Sequence, residues 1–279
     1  MPAPGSIFHR AALAQNLADK ILNVAVGSAA SSGVFLAAPR RTGKSTFVRE
    51  DLRPALEGMG ARVLYVDLWA NPAANPGQVI VSVIRAELAR HEGVVARLAR
   101  QAGMSTMSVG GIQFDLDRVG LGTDISLAQA LASLSDETGR MIVLLIDEAQ
   151  HAITTPEGVD TLFALKAARD ELNSSMHHGL RVVCIGSNRD KLAMLRNGKD
   201  QAFFGAPLVN FPALDKDYIE WFCRHVDLPF PLDPDEVLAL FRQAGNRPEV
   251  LYAAADVFRF DFDVQPVDGP ARFAEEVMA

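Results

Sequence analysis

The residues of this chain best suited to chemistry fall in two short stretches. The first is VFLAAPRRTGKSTFVRE, residues 34–50, where an apolar run stops at Pro39 and Gly43-Lys44-Ser45-Thr46 leads into a helix-like segment. A turn that cradles a triphosphate follows the pattern G-x-x-x-x-G-K-S/T between a strand and a helix. Ala38 to Ser45 read APRRTGKS, so Ala38 stands where the first glycine of that pattern stands. The more constrained end of the pattern is met. Gly43 lets the backbone approach a phosphate, Lys44 brings charge to the β and γ phosphates, and Ser45 can offer its hydroxyl to Mg²⁺. The following helix points its unpaired backbone N–H groups at the anion. The candidate nucleotide-binding set is therefore Ala38, Pro39, Arg40, Arg41, Thr42, Gly43, Lys44, Ser45 and Thr46. Arg40 and Arg41 occupy the variable positions, where solvated side chains are the expectation.

The second stretch is MIVLLIDEAQ, residues 141–150, an apolar strand ending in Asp147 and Glu148. A parallel sheet gathers the carboxyl ends of its strands on one edge, so acids there can serve the same ligand as a phosphate-binding turn. Asp147 can hold Mg²⁺, and Glu148 can polarise an attacking water. The two stretches together predict an ATP-type nucleotide site. His151 reads as a loop histidine, and His177-His178, with no partner at metal-ligand spacing, as a helix end.

The elements that must position these groups alternate along the chain. Residues 6–28 have helical apolar spacing, followed by the strand VFLAA and a helix closing at Gly58 and Gly60. ARVLYVDLW, MIVLLIDEAQ, LRVVCIGSN and the weaker APLVNFPAL read as further strands; GQVIVSVIRAELARHE, SLAQALASLSDETG and VDTLFALKAARDELN read as helices. Continuous apolar strands separated by helices imply a parallel sheet covered on both faces. After Leu214 three short helices follow with no strand between them, a small helical subdomain. The expected organisation is a core over residues 1–214, a lid over 215–262 and a Pro/Gly-punctuated tail or linker over 263–279 leading to a continuation. Residues 104–124 alternate polar and apolar and predict a hairpin inserted into the core.

Composition is compatible with this reading. The 279 residues are 49% apolar and 22% charged, with a net charge of -7, which argues against a general nucleic-acid binder. The two cysteines suit a reducing compartment rather than a disulfide framework. No apolar run approaches the roughly 20 residues of a membrane span, and no secretory leader is legible, so the expectation is cytoplasmic.

The motifs resemble the AAA+ superfamily of P-loop ATPases, and more closely its archaeal-type and signal-transducing (STAND) branch. APRRTGKST is similar to that branch's phosphate loop and LLIDEAQ to its acid-acid strand. VVCIGSNRD resembles the strand carrying the first sensor, and AGNRPEVL the start of the second-sensor helix in the lid. The likeness runs over about residues 6–260. It implies an α/β fold, a P-loop NTPase three-layer sandwich with a central parallel five-stranded sheet in the order 5-1-4-3-2 and a small helical lid. It implies ATP and Mg²⁺ as cofactors, the metal held by Ser45 and Asp147, with Lys44 and Glu148 in catalysis. Ser187 or Asn188 would be the first sensor, Arg247 the second, and IFHR (residues 7–10) would pack near the adenine, bringing Ile7 and Phe8 into the site. No guanine-reading NKxD-type motif is present.

One departure bears on activity. Relatives often carry an arginine just before the fifth strand that reaches into a neighbouring subunit; here FFGAPLV places Ala206 there, with Arg196 and Lys199 the nearest cations in sequence. An arginine finger contributes ~10³–10⁵ in rate, so the chain is expected to be a slow ATPase. Two functions follow: ATP hydrolysis that drives or times a conformational change on a macromolecular partner, or a slow nucleotide-dependent binding module of STAND-like or DNA-associated type. Expected partners are ATP or ADP, further copies of the chain, and a protein the sequence does not name. DNA is the weaker expectation, because the insert holds Arg118 against Asp115, Asp117 and Asp124.

Overall fold

The computed structural model describes residues 7–25, 27–102, 119–120, 125–174, 176–260 and 268–279. The expected hairpin at 104–124 lies almost wholly outside them. At its margin Val119 and Ile125 are buried and bridged to each other. The chain forms two compact units, Ala11–Ala37 with Asp51–Asn210, and Met1–Arg10 with Ala38–Glu50 and Phe211–Ala279.

The larger unit contains α1 (Ala11–Leu22), β1 (Val34–Ala37), α3 (Arg53–Gly58), β2 (Arg62–Asp67), α4 (Pro76–Leu88), α5 (Glu92–Gln101), α6 (Leu127–Thr138), β3 (Ile142–Asp147), α7 (Pro156–Ser174), β4 (Leu180–Gly186), α8 (Arg189–Met194) and β5 (Leu208–Asn210). All five strands are parallel, in the order β2-β3-β4-β1-β5, as the alternation of elements and the resemblance predicted. The apolar runs explain why. Leu64, Val66, Ile142, Leu144, Ile146, Val182 and Cys184 enter one core with α4, α6 and α7. The intervening Val63, Val143, Leu145, Val183 and Ile185 are equally buried, with α3 packed on β2 and α1 on α3. A strand buried on both faces has no polar alternation to show. Caps fix the helix ends: Asn75 accepts from the N–H groups of Gly77 and Gln78 ahead of Pro76, and Ser126 and Gln129 form a capping box at α6.

The smaller unit contains α2 (Lys44–Phe47), α9 (Lys216–His225), α10 (Pro234–Gln243), α11 (Pro248–Phe260) and α12 (Gly269–Met278). Ile219 and Phe222, Val237 and Phe241, Leu251 and Ala255, and Phe273 and Val277 share its core. The reading of 263–279 as a tail or linker is corrected for residues 269–278. They are a helix packed on α10 and α11, because Phe273 and Val277, one turn apart, bury one face of it. The helix expected over 6–28 starts at Ala11, because Phe8 and Arg10 are engaged elsewhere: the Phe8 ring meets Tyr218 at 5.4 Å, and Arg10 donates to the Pro212 carbonyl at 2.7 Å. A π-helical turn, Val48–Leu52, interrupts the helical run after the phosphate-loop sequence, and α5 is an element the sequence reading did not assign.

Candidate functional site

In the larger unit, the carboxyl edge of the sheet gathers acids. Asp67 at the end of β2 is the register partner of Asp147 at the end of β3. Asp147 is buried; it accepts from the Tyr65 hydroxyl at 3.1 Å on one oxygen and from the Glu148 N–H at 2.9 Å on the other. Two donors fix the carboxylate and stabilise its charge. Glu148 has φ 51°, in the left-handed region that non-glycine residues seldom occupy. This turns its side chain away from the strand direction, and its Oε2 accepts from Ser187 Oγ at 2.8 Å and from Gln150 Nε2. Ser187 is the first residue past β4, so the two strand ends meet through this bond.

Asn188, the other first-sensor candidate, has its side-chain oxygen committed to the N–H of Lys191 at 2.9 Å, capping α8. Of the two candidates, Ser187 is therefore the one beside Glu148. His151 packs its ring on Trp69 at 4.5 Å. His177 contacts Asp136 at 2.6 Å, on the surface of α6. Ala206, at the arginine-finger position, is fully buried.

In the smaller unit, the loop from Ala38 turns twice through left-handed conformations, at Arg41 (φ 63°) and Gly43 (φ 78°). The Thr42 hydroxyl donates to the Pro39 carbonyl at 2.9 Å and closes the loop. Gly43 is the N-cap of α2, with no side-chain cap. Lys44, the first residue of that helix, is buried, an uncommon state for a lysine. Its Nζ lies 3.5 Å from Ser45 Oγ. Arg41 pairs with Glu249 at 3.5 Å and is otherwise exposed. Arg247 Nε donates to the Ala244 carbonyl at 3.0 Å, and its NH1 lies 4.0 Å from Glu249.

Beside this loop is a cavity of 330 Å³ lined by Ile7, Phe8, Thr46, Tyr218, Trp221 and Tyr252, among others. That is the scale of small-molecule sites, mostly apolar with a few polar groups. The Tyr218 hydroxyl is buried beside the Tyr252 phenol. Burial, with the neighbouring Tyr252 phenol, pushes the Tyr218 phenol up. The structure thus brings Ile7, Phe8, Thr42, Gly43 and Thr46 to one cavity. Sequence reasoning missed Tyr218, Tyr252 and Gln150; of these only Gln150, within LLIDEAQ, sits in a motif that could have drawn notice.

No three His, Cys, Asp or Glu side chains cluster as a metal site among the described residues. Mg²⁺ with a nucleotide takes one or two protein ligands, the phosphates supplying others, a demand that a buried carboxylate such as Asp147 can meet within the larger unit. Among the described residues no helix is long and apolar enough to cross a membrane.

No protein-family model matches the chain, and no curated protein sequence matches it. Solved structures do. A Walker-type ATPase of Pyrococcus abyssi aligns over 98% of this chain and 71% of its own, at 17% identity and a TM-score of 0.59. The ADP form of the ORC2 protein of Aeropyrum pernix aligns over 98% and 69%, at 16% identity and 0.56. The ORC1 protein of the same organism, in complex with DNA, aligns over 99% and 68%, at 15% identity and 0.50. Identities this low carry the fold and nothing finer. The parallel sheet, its strand order and these neighbours establish that the chain has the α/β P-loop NTPase fold.

Proposed function

We propose that the chain binds ATP with Mg²⁺ and hydrolyses it slowly, using the cycle to drive or time a conformational change on a macromolecular partner. The observation that carries this reading is the loop ending in left-handed Gly43, followed by a buried lysine that opens a helix. The backbone of residues 38–43 and Lys44 would hold the phosphates, and Thr46 with Ile7 and Phe8 would face the nucleoside. Ser45 and Asp147 would hold Mg²⁺, which supplies charge neutralisation at the phosphates. Glu148 would accept a proton from the attacking water as the new P–O bond forms and the bond to the ADP oxygen breaks. Ser187 would act as the first sensor and Arg247 as the second, on a lid made of residues beyond Leu214. The adenine reading rests on the resemblance and on the mostly apolar cavity beside the loop.

A second reading, a nucleotide-dependent binding module with little turnover, is favoured by the buried Ala206, which leaves no cation at the finger position. Turnover measured against protein concentration separates the two: a steep rise means that copies of the chain complete one another's sites. The partner is proposed to be a protein in the cytoplasm. Salt-dependent DNA binding by the isolated chain would overturn that choice.

The binding reading is tested with Lys44→Ala. Removing the cation that faces the phosphates is expected to weaken fluorescent ATP binding by about 10²-fold, in line with a lost charge-assisted contact of roughly 3 kcal/mol. Unchanged affinity refutes it.

A further inference from the structure

We infer that Gln150 is a positioning residue for Glu148, holding its carboxylate in register with the strand ends; this rests on the reading of Glu148 as the base. Three observations meet at this side chain. Gln150 is buried, and its Nε2 donates to Glu148 Oε2, the same oxygen that accepts from Ser187 Oγ at 2.8 Å. Its Oε1 is buried with no hydrogen-bond partner among the described residues. That oxygen lies over Gly186, where an added Cβ would stand 2.3 Å from it.

The amide cannot be turned around, because Oε1 facing a carboxylate oxygen would set two acceptors together. The site thus keeps a buried acceptor unsatisfied in order to aim the donor at Glu148. A buried orphan of this kind calls for a reason, and the glycine at the end of β4 makes the space for it. Glu148 also sits in a sparsely populated backbone conformation, a kind of strain that persists where surrounding contacts over-determine it. With Oε2 held by an amide from one side and a hydroxyl from the other, rotation of the carboxylate plane is blocked.

The test uses the full chain and ATP hydrolysis followed at steady state, with single-turnover runs isolating the chemical step. Gln150→Leu keeps the approximate shape and removes both polar atoms. It is expected to lower kcat by about 10²-fold, the scale of a misplaced catalytic group, while KM and the melting temperature hold. Gln150→Glu replaces the donor with a second carboxylate, so the pair must share a proton. Its kcat relative to wild type is expected to climb by about tenfold from pH 8 to pH 5.5 as the introduced carboxyl gains the proton it can donate. A structural role would give no such pH dependence. A flat ratio, wild-type kcat in both variants, or a raised KM with kcat unchanged overturns the inference. Glu148→Gln, run in parallel, separates the two layers. If it is slow while the Gln150 variants are normal, only the positioning role falls. If it turns over like wild type, or if the wild type does not turn over at all, the base assignment falls and the positioning role with it.

Discussion

Gly186→Ala perturbs the acid pair without touching any of its polar atoms. Gly186 closes β4 as the register partner of Ala37, and its backbone lies outside the left-handed region, so alanine is sterically acceptable to the main chain. The obstacle is the Gln150 amide. An added Cβ would stand 2.3 Å from Oε1 and 3.1 Å from a methyl of Leu192, whereas ordinary contact begins at 3.4 Å. The amide must therefore retreat by about 1 Å. A retreat of that size breaks or bends its bond to Glu148. Loss of one such hydrogen bond costs about 1–3 kcal/mol when the acceptor is charged. In catalysis, a shift of about 1 Å can cost 10²-fold. The expected outcome is a drop of that order in single-turnover ATP hydrolysis, with fluorescent ATP affinity unchanged and a fall in unfolding free energy of no more than about 3 kcal/mol. Wild-type turnover in a variant whose structure shows the amide displaced would refute the reasoning.

Asn188→Ala removes the cap of α8 and is expected to cost about 1 kcal/mol of stability by urea unfolding, with hydrolysis unaffected; a large loss of kcat would instead return Asn188 to the sensor role. Acid stability depends on Glu87. Burial pushes its carboxyl up, but hydrogen bonds from His91 and Arg62 and the charges of Arg62 and Arg90 outweigh burial and hold it below the usual 4.5. A depressed folded value stabilises above the unfolded value and is lost as pH falls through the folded one. The urea midpoint is therefore expected to decline below pH 4.5, and Glu87→Gln to be less stable than wild type at pH 7 but to lose less on acidification. A parallel decline in both proteins would contradict this.

The parts of the molecule legible in the sequence are those whose signal is local. The strands that became β1 to β4 are near-continuous apolar runs, and their covered faces follow from that alone. The phosphate-loop residues announce themselves by spacing. Other parts were hidden for identifiable reasons. In α12, Gly269 reads as turn punctuation, but an added Cβ there would meet the Phe230 ring at 2.2 Å; the glycine serves close packing, with Pro270 in the first turn of a helix. In α5, Val94 and Leu98 are one turn apart and fully buried, yet Gly93 beside the helix start obscures the pattern, where it leaves room for Glu137. Gln150 fits over Gly186, at the end of a strand remote in sequence, and Tyr218 packs on Phe8, remote in the other direction. Pairings of that kind leave no mark on either neighbourhood.

The smaller unit has a further consequence for how the protein is made. Its pieces come from three remote stretches, and the Arg10 bond to Pro212 spans a separation of 202 residues. Ring packing of Phe8 on Tyr218 and Trp221 is just as distant. On a ribosome, the amino-terminal wall of the cavity emerges first and waits for helices that follow far downstream. Such late closure of far-apart segments is slow relative to local helix formation. The cavity beside the phosphate loop therefore cannot form on a nascent chain that lacks α9 and α11.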